Sequence, residues 1–335
     1  MSEVCVCAGI SLRALACCSH ELQASLRVAK PLLVLQTARS GAAVELEFGG
    51  LWRVHTLTLV GTREMQKAGC GSSTWDILAI TARSQAVTHV VASMDNLPSP
   101  TMALTGTLSS VACLEWLTEL ALDGWGVSED SLVELASAPR LTRLALRNQV
   151  KLSSLASLAC FPWLEALELT SCWRVVDLAP LAGVTRLASL ELHRYKGATL
   201  AACASLRSVS IFDADKLCDL WALSACTRLE RLTCAICHEV EDLSPLSDCS
   251  SLSDLRLDRC TRVRTVAPLS ACRSLHTLTL SRCPGLTDLG ALDSCARLRQ
   301  LTVLECSGLT HFSSPARVAQ ALARLRRTAA VKEER

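Results

Sequence analysis

The chain has 335 residues, of which 50% are apolar and 4% aromatic, and its formal net charge is +2. A nearly neutral chain lacks the basic footprint that phosphate neutralisation requires, so nucleic acid is not expected as a partner. No uninterrupted apolar run approaches the roughly 20 residues that a membrane-spanning helix needs, so no membrane partner is expected either.

The cysteine content and the chain ends predict the compartment. The chain contains 19 cysteines, and an odd number spread over a long sequence is typical of reduced thiols rather than of a disulfide scaffold. The amino-terminal segment has an early Glu3 and no basic start, and Arg13 interrupts a short apolar run, so it is a poor secretory signal. The final residues VKEER are not a prenylation motif. We therefore expect a cytoplasmic protein with free cysteines.

The first 28 residues are predicted to form an amino-terminal capping segment. Apolar residues recur there at helical spacing, at Leu12, Leu15, Ala16, Leu22 and Leu26. The same segment holds the cysteine cluster outside the regular repeats, which consists of Cys5, Cys7, Cys17, Cys18 and, nearby, His20. A metal site there is one interpretation, but the spacings match no common ligand set, so we favour a structural role.

Residues 29–113 are predicted to hold three degenerate repeat units. They begin at Ala29, Val54 and Val87, and each has apolar residues at its first, fourth and sixth positions. The interval after Val54 contains a predicted helix over residues 73–85. The glycines around Cys70 just before it could bind an anion at the helix start, but no phosphate-loop lysine follows, so we favour an inserted turn.

Residues 114–312 carry a regular repeat with the pattern L-x-x-L-x-L-x-x-C. Its spacings are 24, 23, 23, 19, 23, 23, 23 and 23 residues, from units that start at Leu117, Leu141, Leu164, Leu187, Leu206, Leu229, Leu252, Leu275 and Leu298. The pattern resembles that of leucine-rich repeats, in which each unit gives one strand and one return segment. This resemblance implies an α/β solenoid, a horseshoe or arc with a parallel sheet on its concave face and short helical or turn segments on its convex face.

Two families share parts of these units. The unit at Leu117 continues GVSEDSLVELASAPR, with Ser128 as a predicted helix cap, and resembles the cysteine-containing repeats of ubiquitin-ligase substrate receptors. The later tails VVDLAPL, VEDLSPL, VRTVAPL and LTDLGAL resemble internalin-type and phosphatase-regulator-type repeats. The C-x-x-L spacing is one residue longer than in the internalin pattern, so the chain is a hybrid and neither family's partner is carried over.

Most cysteines of the regular units have a repeat position. Five take the ninth position, where Asn or Cys satisfies backbone groups in the turn after the strand, and five lie three residues before the next unit. Cys234 and Cys237 have the spacing of a zinc or redox pair, but the period already assigns them to an inward strand position and the turn position. We therefore predict small buried hydrophobic side chains.

The return segments and the carboxyl terminus complete the architecture. Pro180, Pro245 and Pro268 recur at one position, which favours short turns over long outer helices. The unit at Leu187 is four residues short, which we interpret as a simple deletion, with a kink or docking notch as the alternatives. Residues 313–327 are predicted to form a capping helix that starts near Ser314 and Pro315, followed by a flexible tail at 328–335.

No catalytic or cofactor motif occurs, so the expected function is binding rather than catalysis. Because side chains alternate across a strand, the residues between the leucines should line the concave face. Candidate protein-binding residues from these columns are Arg147, Glu168, Glu191, His193, Arg194, Phe212, Asp213, Ile236, Arg256, Asp258, Arg259 and Arg282. Phe212 and Ile236 would form the apolar centre, although Phe212 could instead pack on Tyr195.

These features predict a monomeric, non-catalytic scaffold or adaptor that binds a protein partner and needs no cofactor or metal. Two alternatives stay open. The cysteine-type units suggest a substrate-recognition subunit of a ubiquitin ligase, and the D-L-x-P-L tails suggest a phosphatase regulator.

Overall fold

The computed structural model describes residues 4–6, 32–36, 56–60, 89–93, 108, 112, 116–124 and 127–309. Several predicted features lie outside these residues. They are the helical part of the amino-terminal cap, the cluster around Cys7, Cys17, Cys18 and His20, the glycine-containing turn at 69–71, the helix at 73–85, the carboxyl-terminal cap and the tail. Among the described residues, no helix is long and apolar enough to cross a membrane.

The chain divides into two compact units, residues 1–167 and 168–335. In the first, six strands pair in parallel and in chain order: β1 (Val4–Val6), β2 (Leu32–Gln36), β3 (Thr56–Val60), β4 (His89–Ser93), β5 (Glu119–Asp123) and β6 (Arg143–Arg147). Strand β7 (Ala166–Thr170) contains the division point. In the second unit six more strands pair in the same way: β8 (Ser189–His193), β9 (Ser208–Phe212), β10 (Arg231–Ala235), β11 (Asp254–Asp258), β12 (Thr277–Ser281) and β13 (Gln300–Leu304).

The leucine spacing determines which face of each strand is buried. In β11, Leu255 and Leu257 at positions four and six have no exposed surface, while the alternate residues are partly or fully exposed. The first-position leucine, Leu252, is also fully buried. Equivalent positions pair across neighbouring strands, as Thr233 does with Arg256. This arrangement confirms the predicted parallel sheet and its inward-facing leucines.

Short turns connect the strands, as predicted. Six five-residue 3-10 helices occupy the return segments: Ala156–Cys160, Ala179–Gly183, Trp221–Ala225, Ser244–Asp248, Ala267–Ala271 and Gly290–Ser294. Pro180, Pro245 and Pro268 lie in the first turn of three of them, where no amide donor is needed. Among the described residues there is one complete α-helix, α1 (Glu129–Leu135). Ser128 is its cap, and the Ser128 hydroxyl accepts a hydrogen bond from the Ser131 amide at 3.3 Å.

The aspartates of the D-L-x-P-L tails, and of the similar D-L-x-A-L segments, have a local structural role. The side chains of Asp177, Asp219, Asp242 and Asp288 each accept a hydrogen bond from the backbone N–H two residues later, at 2.6–2.8 Å. For Asp242, hydrogen bonds from Ser244 lower the pKa of the carboxyl group. Because each carboxylate satisfies an amide that starts its own turn, the tail motif follows from the fold.

The register of β2 corrects one predicted unit start. Leu33 and Leu35 pair with Leu57 and Leu59, so the repeat frame of β2 lies one residue later than the frame predicted from Ala29. Strand β1 then pairs with β2, which places a strand inside the predicted capping segment. The sequence LLVL is apolar at consecutive positions and therefore does not distinguish two frames that differ by one residue.

In the shortened unit at Leu187, the ninth position holds Tyr195 in place of cysteine, and the tyrosine ring is buried inside the unit. Tyr195 is 4% exposed, and its hydroxyl hydrogen-bonds the carbonyl oxygens of Val176 and Thr199 at 2.9 Å each. A side chain at Gly197 would overlap this hydroxyl. Burial, with a smaller effect of the Asp177 charge, raises the pKa of Tyr195 to about 12. The ring thus compensates for the four missing residues.

Candidate protein-binding face

The candidate site is built on the solvent-facing side of the sheet in the second unit. We call the residues at positions three, five and seven of strands β8–β13 the open sheet face. All of these side chains are partly or fully exposed, whereas positions four and six are buried in β8 to β12. Of the predicted site residues, Glu191, His193, Phe212, Arg256 and Asp258 lie on this face. Glu168 has the equivalent fifth position in β7, and Arg147 belongs to β6 in the first unit.

The eighth position lies past the end of each strand, which corrects its predicted placement on the sheet. Positive φ angles of 50–58° occur there at Asn148, Ser171, Arg194, Asp213, Ile236, Arg259, Arg282 and Glu305. The backbone N–H at this position donates to the position-seven carbonyl of the following unit, as Ile236 does to Asp258 at 2.8 Å. The same hydrogen bond recurs at Arg194, Asp213, Arg259 and Arg282, and it holds the chain in a left-handed turn at the edge of the open sheet face.

Ile236 is the strained residue of this series. Its φ of 58° lies in the left-handed region, which β-branched side chains rarely adopt because of contacts between Cβ substituents and the backbone. The other described residues in this row are unbranched at Cβ. A non-glycine residue in this region costs about 1–3 kcal/mol, and such strain concentrates at functional sites. Ile236 follows Ala235, which pairs with Phe212, so the strained residue stands next to the aromatic one.

Phe212 stacks on His193 across neighbouring strands. The two residues are direct partners in the β8–β9 register, their ring centroids are 4.7 Å apart, and the ring planes differ by 14°. Both side chains are partly exposed, whereas Tyr195 is buried in the return segment. The stack holds the Phe212 ring on the open sheet face, where it presents apolar surface beside the small Ala235.

The charged residues around this apolar centre differ in their partners. Arg194 pairs with Asp213 at 3.6 Å, and Arg282 contacts Asp258 at 3.7 Å and Glu305 at 3.1 Å. The Asp258 oxygen nearest to Arg282 is buried and accepts no hydrogen bond, so that contact is purely electrostatic. All of these pairs involve exposed side chains, and exposed pairs contribute about 1 kcal/mol or less.

Glu191 and Arg259 have no such partners. Within the described part of the chain, neither side chain makes a hydrogen bond or an ion pair, and both are exposed. Ser210 and Thr233, which sequence analysis did not select, are partly exposed on the open sheet face, and no described group bonds their hydroxyls. The sequence could not identify these two residues as candidates, because Ser and Thr are common at solvent-facing strand positions and only their repeat position is known from the sequence.

The described cysteines at the ninth repeat position bond backbone carbonyl groups. Cys260 at position nine has its sulfur 3.5 Å from the carbonyl oxygen of Cys234 and 3.7 Å from that of Asp258. In the unit that starts at Leu141, Gln149 stands at the ninth position in place of cysteine. Its side-chain amide nitrogen donates hydrogen bonds to the carbonyl oxygens of Leu122 and Arg147, at 2.8 and 2.7 Å. Cys234 and Cys237 are both fully buried, as the period predicts. Among the described residues, no group of three metal-ligating side chains comes together.

The comparisons with known proteins support the fold. No family model matches the chain, and no curated protein matches it. Among solved structures, the leucine-rich-repeat domain of the type III effector XCV3220 (XopL) is 22% identical, with a TM-score of 0.56, over 73% of this chain and 84% of that one. An internalin, InlF, from Listeria monocytogenes is 18% identical, with a TM-score of 0.49, over 67% of this chain. The match spans 62% of the internalin chain. Together with the parallel strands and 3-10 turns, the effector domain confirms the leucine-rich-repeat fold.

Proposed function

We propose that this leucine-rich-repeat protein is a non-catalytic scaffold or adaptor that binds a protein partner on the open sheet face of its second unit. The observation that carries the proposal is the strained Ile236 beside the stacked Phe212. A folded chain tolerates such strain where another advantage offsets it, and an aromatic residue with an adjacent aliphatic one is the usual composition of an interface centre.

The charges around this centre suit an interface rim. Arg194, Asp213, Arg259 and Arg282 lie in the left-handed turns at the edge of the face, and their side chains are at least partly exposed. Exposed charges of this kind affect the association rate and the salt dependence more than the affinity. Arg259→Glu should therefore slow association most strongly at low salt.

The two alternative functions gain less support from the structure. Each aspartate of the D-L-x-P-L tails caps its own turn, so the motif need not have been selected for a phosphatase. The cysteines of the ubiquitin-ligase-like units bond backbone carbonyls and have a complete structural role. Both features are expected of the fold, whatever the partner.

We also propose that the protein is monomeric and acts in the cytosol. Cys226, Cys249 and Cys272 are buried thiols, each hydrogen-bonded to a backbone carbonyl, so the structure uses them in reduced form. A reducing compartment preserves such thiols. Cell fractionation, together with sedimentation of the purified chain, tests both points.

Affinity purification with in-cell crosslinking tests the binding face. The wild-type chain is compared with the double variant Phe212→Ala/Ile236→Asn and with Trp221→Ser as a matched control. Trp221 is 66% exposed on a return segment, so its removal deletes a large aromatic surface away from the open sheet face. The proposal expects a partner that the double variant loses and the control retains. Loss with Trp221→Ser alone would place the interface on the return segments.

A further inference from the structure

The fifth position of the open sheet face carries opposite charges at a fixed separation. Strand register places Glu191, Ser210, Thr233 and Arg256 side by side on β8, β9, β10 and β11. Three strand steps of about 4.8 Å separate the backbone positions of Glu191 and Arg256, which gives a span of about 14 Å. Two hydroxyl groups occupy the interval. This row runs across the strands, parallel to the row that contains His193, Phe212 and Ala235.

The groups of this row are available to a ligand. The Glu191 carboxylate has no hydrogen-bonding or ionic partner among the described residues, and neither do the hydroxyls of Ser210 and Thr233. Arg256 bonds Asp254 on its own strand at 3.4 and 3.5 Å, and its side chain is 59% exposed. Such a long, exposed pair exchanges readily for a better-placed carboxylate. The unpartnered Arg259 adds positive charge near the Arg256 end.

An extended peptide has a repeat that fits this row. Its residues advance by about 3.3 Å, so a span of about 14 Å corresponds to four residues. Alternate side chains of an extended segment point to the same side, so residues i, i+2 and i+4 all face the sheet. Residue i would then lie over Glu191 and residue i+4 over Arg256, while residue i+2 lies over Ser210 and Thr233, close to Phe212 and Ala235.

We infer that the open sheet face binds an extended segment of a protein partner with opposite charges four residues apart and an apolar residue midway. The basic side chain lies over Glu191 and the acidic side chain over Arg256. The apolar side chain packs against Phe212, and the hydroxyls of Ser210 and Thr233 bond the backbone of the segment. Either chain direction satisfies this arrangement. The inference rests on the proposed function and specifies the chemistry of its partner.

Peptide selection on the full chain tests the inference. A phage-displayed library of random linear nonapeptides is selected on the wild-type chain, with Trp221→Ser as the control surface. We expect enriched peptides to carry Lys or Arg and Asp or Glu four residues apart, with an apolar residue between them. Enriched peptides with no charge pairing at this spacing, or no enrichment at all, would overturn the extended-segment inference.

Charge exchange gives a second, independent readout. An enriched peptide should bind Glu191→Lys at least tenfold more weakly, and changing its basic residue to Glu should restore binding to that variant. The reciprocal pair, Arg256→Glu with a peptide whose acidic residue is Lys, should behave in the same way. The same changes at Thr302, two strands beyond Arg256 on the fifth-position row, provide a control that should leave binding unchanged.

The outcomes separate this inference from the proposed function. If Phe212→Ala weakens peptide binding but charge exchange gives no rescue, the binding face stands and the charge arrangement is wrong. If neither Phe212→Ala nor either charge change alters binding, the peptide binds elsewhere and both are wrong. Rescue in both exchange pairs would support the alignment of the segment along the row from Glu191 to Arg256.

Discussion

His193 and Phe212 are direct cross-strand partners whose rings stack at a centroid distance of 4.7 Å. The stack makes Phe212 a rigid part of the sheet surface rather than a mobile exposed ring. A preorganised aromatic side chain loses little conformational entropy when it binds a partner. The relationship therefore links the strand register to the proposed interface.

Phe212→Ala should weaken partner binding by about 2 kcal/mol or more, as truncation of an interface centre does. The free energy of unfolding should fall by only about 1 kcal/mol, because the partly exposed ring loses mainly its stacking contact. Titration calorimetry with the captured partner and urea denaturation measure the two effects. His193→Ala removes the same stack but keeps the Phe212 ring, so it should affect stability similarly and binding less. A stability loss of several kcal/mol for Phe212→Ala would show that the ring belongs to the core.

Ile236→Leu should raise the free energy of unfolding by about 0.5–1 kcal/mol. Leucine keeps the apolar size but removes the β-branch that disfavours the left-handed conformation at φ 58°. Ile236→Val keeps the branch and loses one methylene group from a partly exposed side chain, so it should instead lower the free energy of unfolding by about 0.5 kcal/mol or less. Chemical denaturation of both variants gives the comparison. Equal destabilisation by leucine and valine would mean that the backbone strain is negligible.

The strain at Ile236 also shows where sequence analysis reached its limit. The leucine period predicted the buried faces, the turn positions of Cys237 and Cys260, and the proline-containing short turns, because each depends on side-chain chemistry that repeats. The left-handed eighth position has no such signal, since it holds Asn, Ser, Arg, Asp, Ile and Glu in different units. Its conformation comes from the hydrogen bond to the next unit. The pairing of His193 with Phe212 and the free hydroxyls of Ser210 and Thr233 likewise required the register.

Tyr195 is the single tyrosine of the chain, so its ionisation can be followed directly by absorbance near 295 nm. Burial raises the pKa of this phenol to about 12, compared with about 10 for an exposed phenol. The folded protein should therefore show little tyrosinate at pH 10.5, whereas the chain in guanidinium should show a large fraction. A phenol that titrates near 10 in the folded chain would contradict the buried hydrogen-bonded position.

Tyr195→Phe should lower the free energy of unfolding by about 1–3 kcal/mol, because two carbonyl groups lose their hydrogen-bond donor.

Cys160 and Cys218 should be the most reactive of the described cysteines in the native protein. Both side chains are exposed, whereas Cys260 and Cys272 are buried, and burial raises the pKa of those two thiols to about 12 and about 11. Brief alkylation at pH 7 followed by peptide mapping should find Cys160 and Cys218 modified ahead of the buried Cys260 and Cys272. Under denaturing, non-reducing conditions nearly all 19 cysteines should react, and several unreactive pairs would instead indicate disulfides.

The buried thiols predict a loss of stability at alkaline pH. Burial raises the pKa of Cys203, Cys249 and Cys260 to about 12 and that of Cys272 to about 11, whereas a thiol in the unfolded chain titrates near 8.5. Above about pH 8.5 the unfolded chain therefore binds fewer protons than the folded one, so the free energy of unfolding falls as pH rises towards 12. Urea denaturation between pH 7 and 10.5 should show a free energy of unfolding that falls progressively above about pH 8.5. Cys249→Ala lowers the overall stability but should flatten the alkaline slope, and an unchanged slope in that variant would show that its thiol does not contribute.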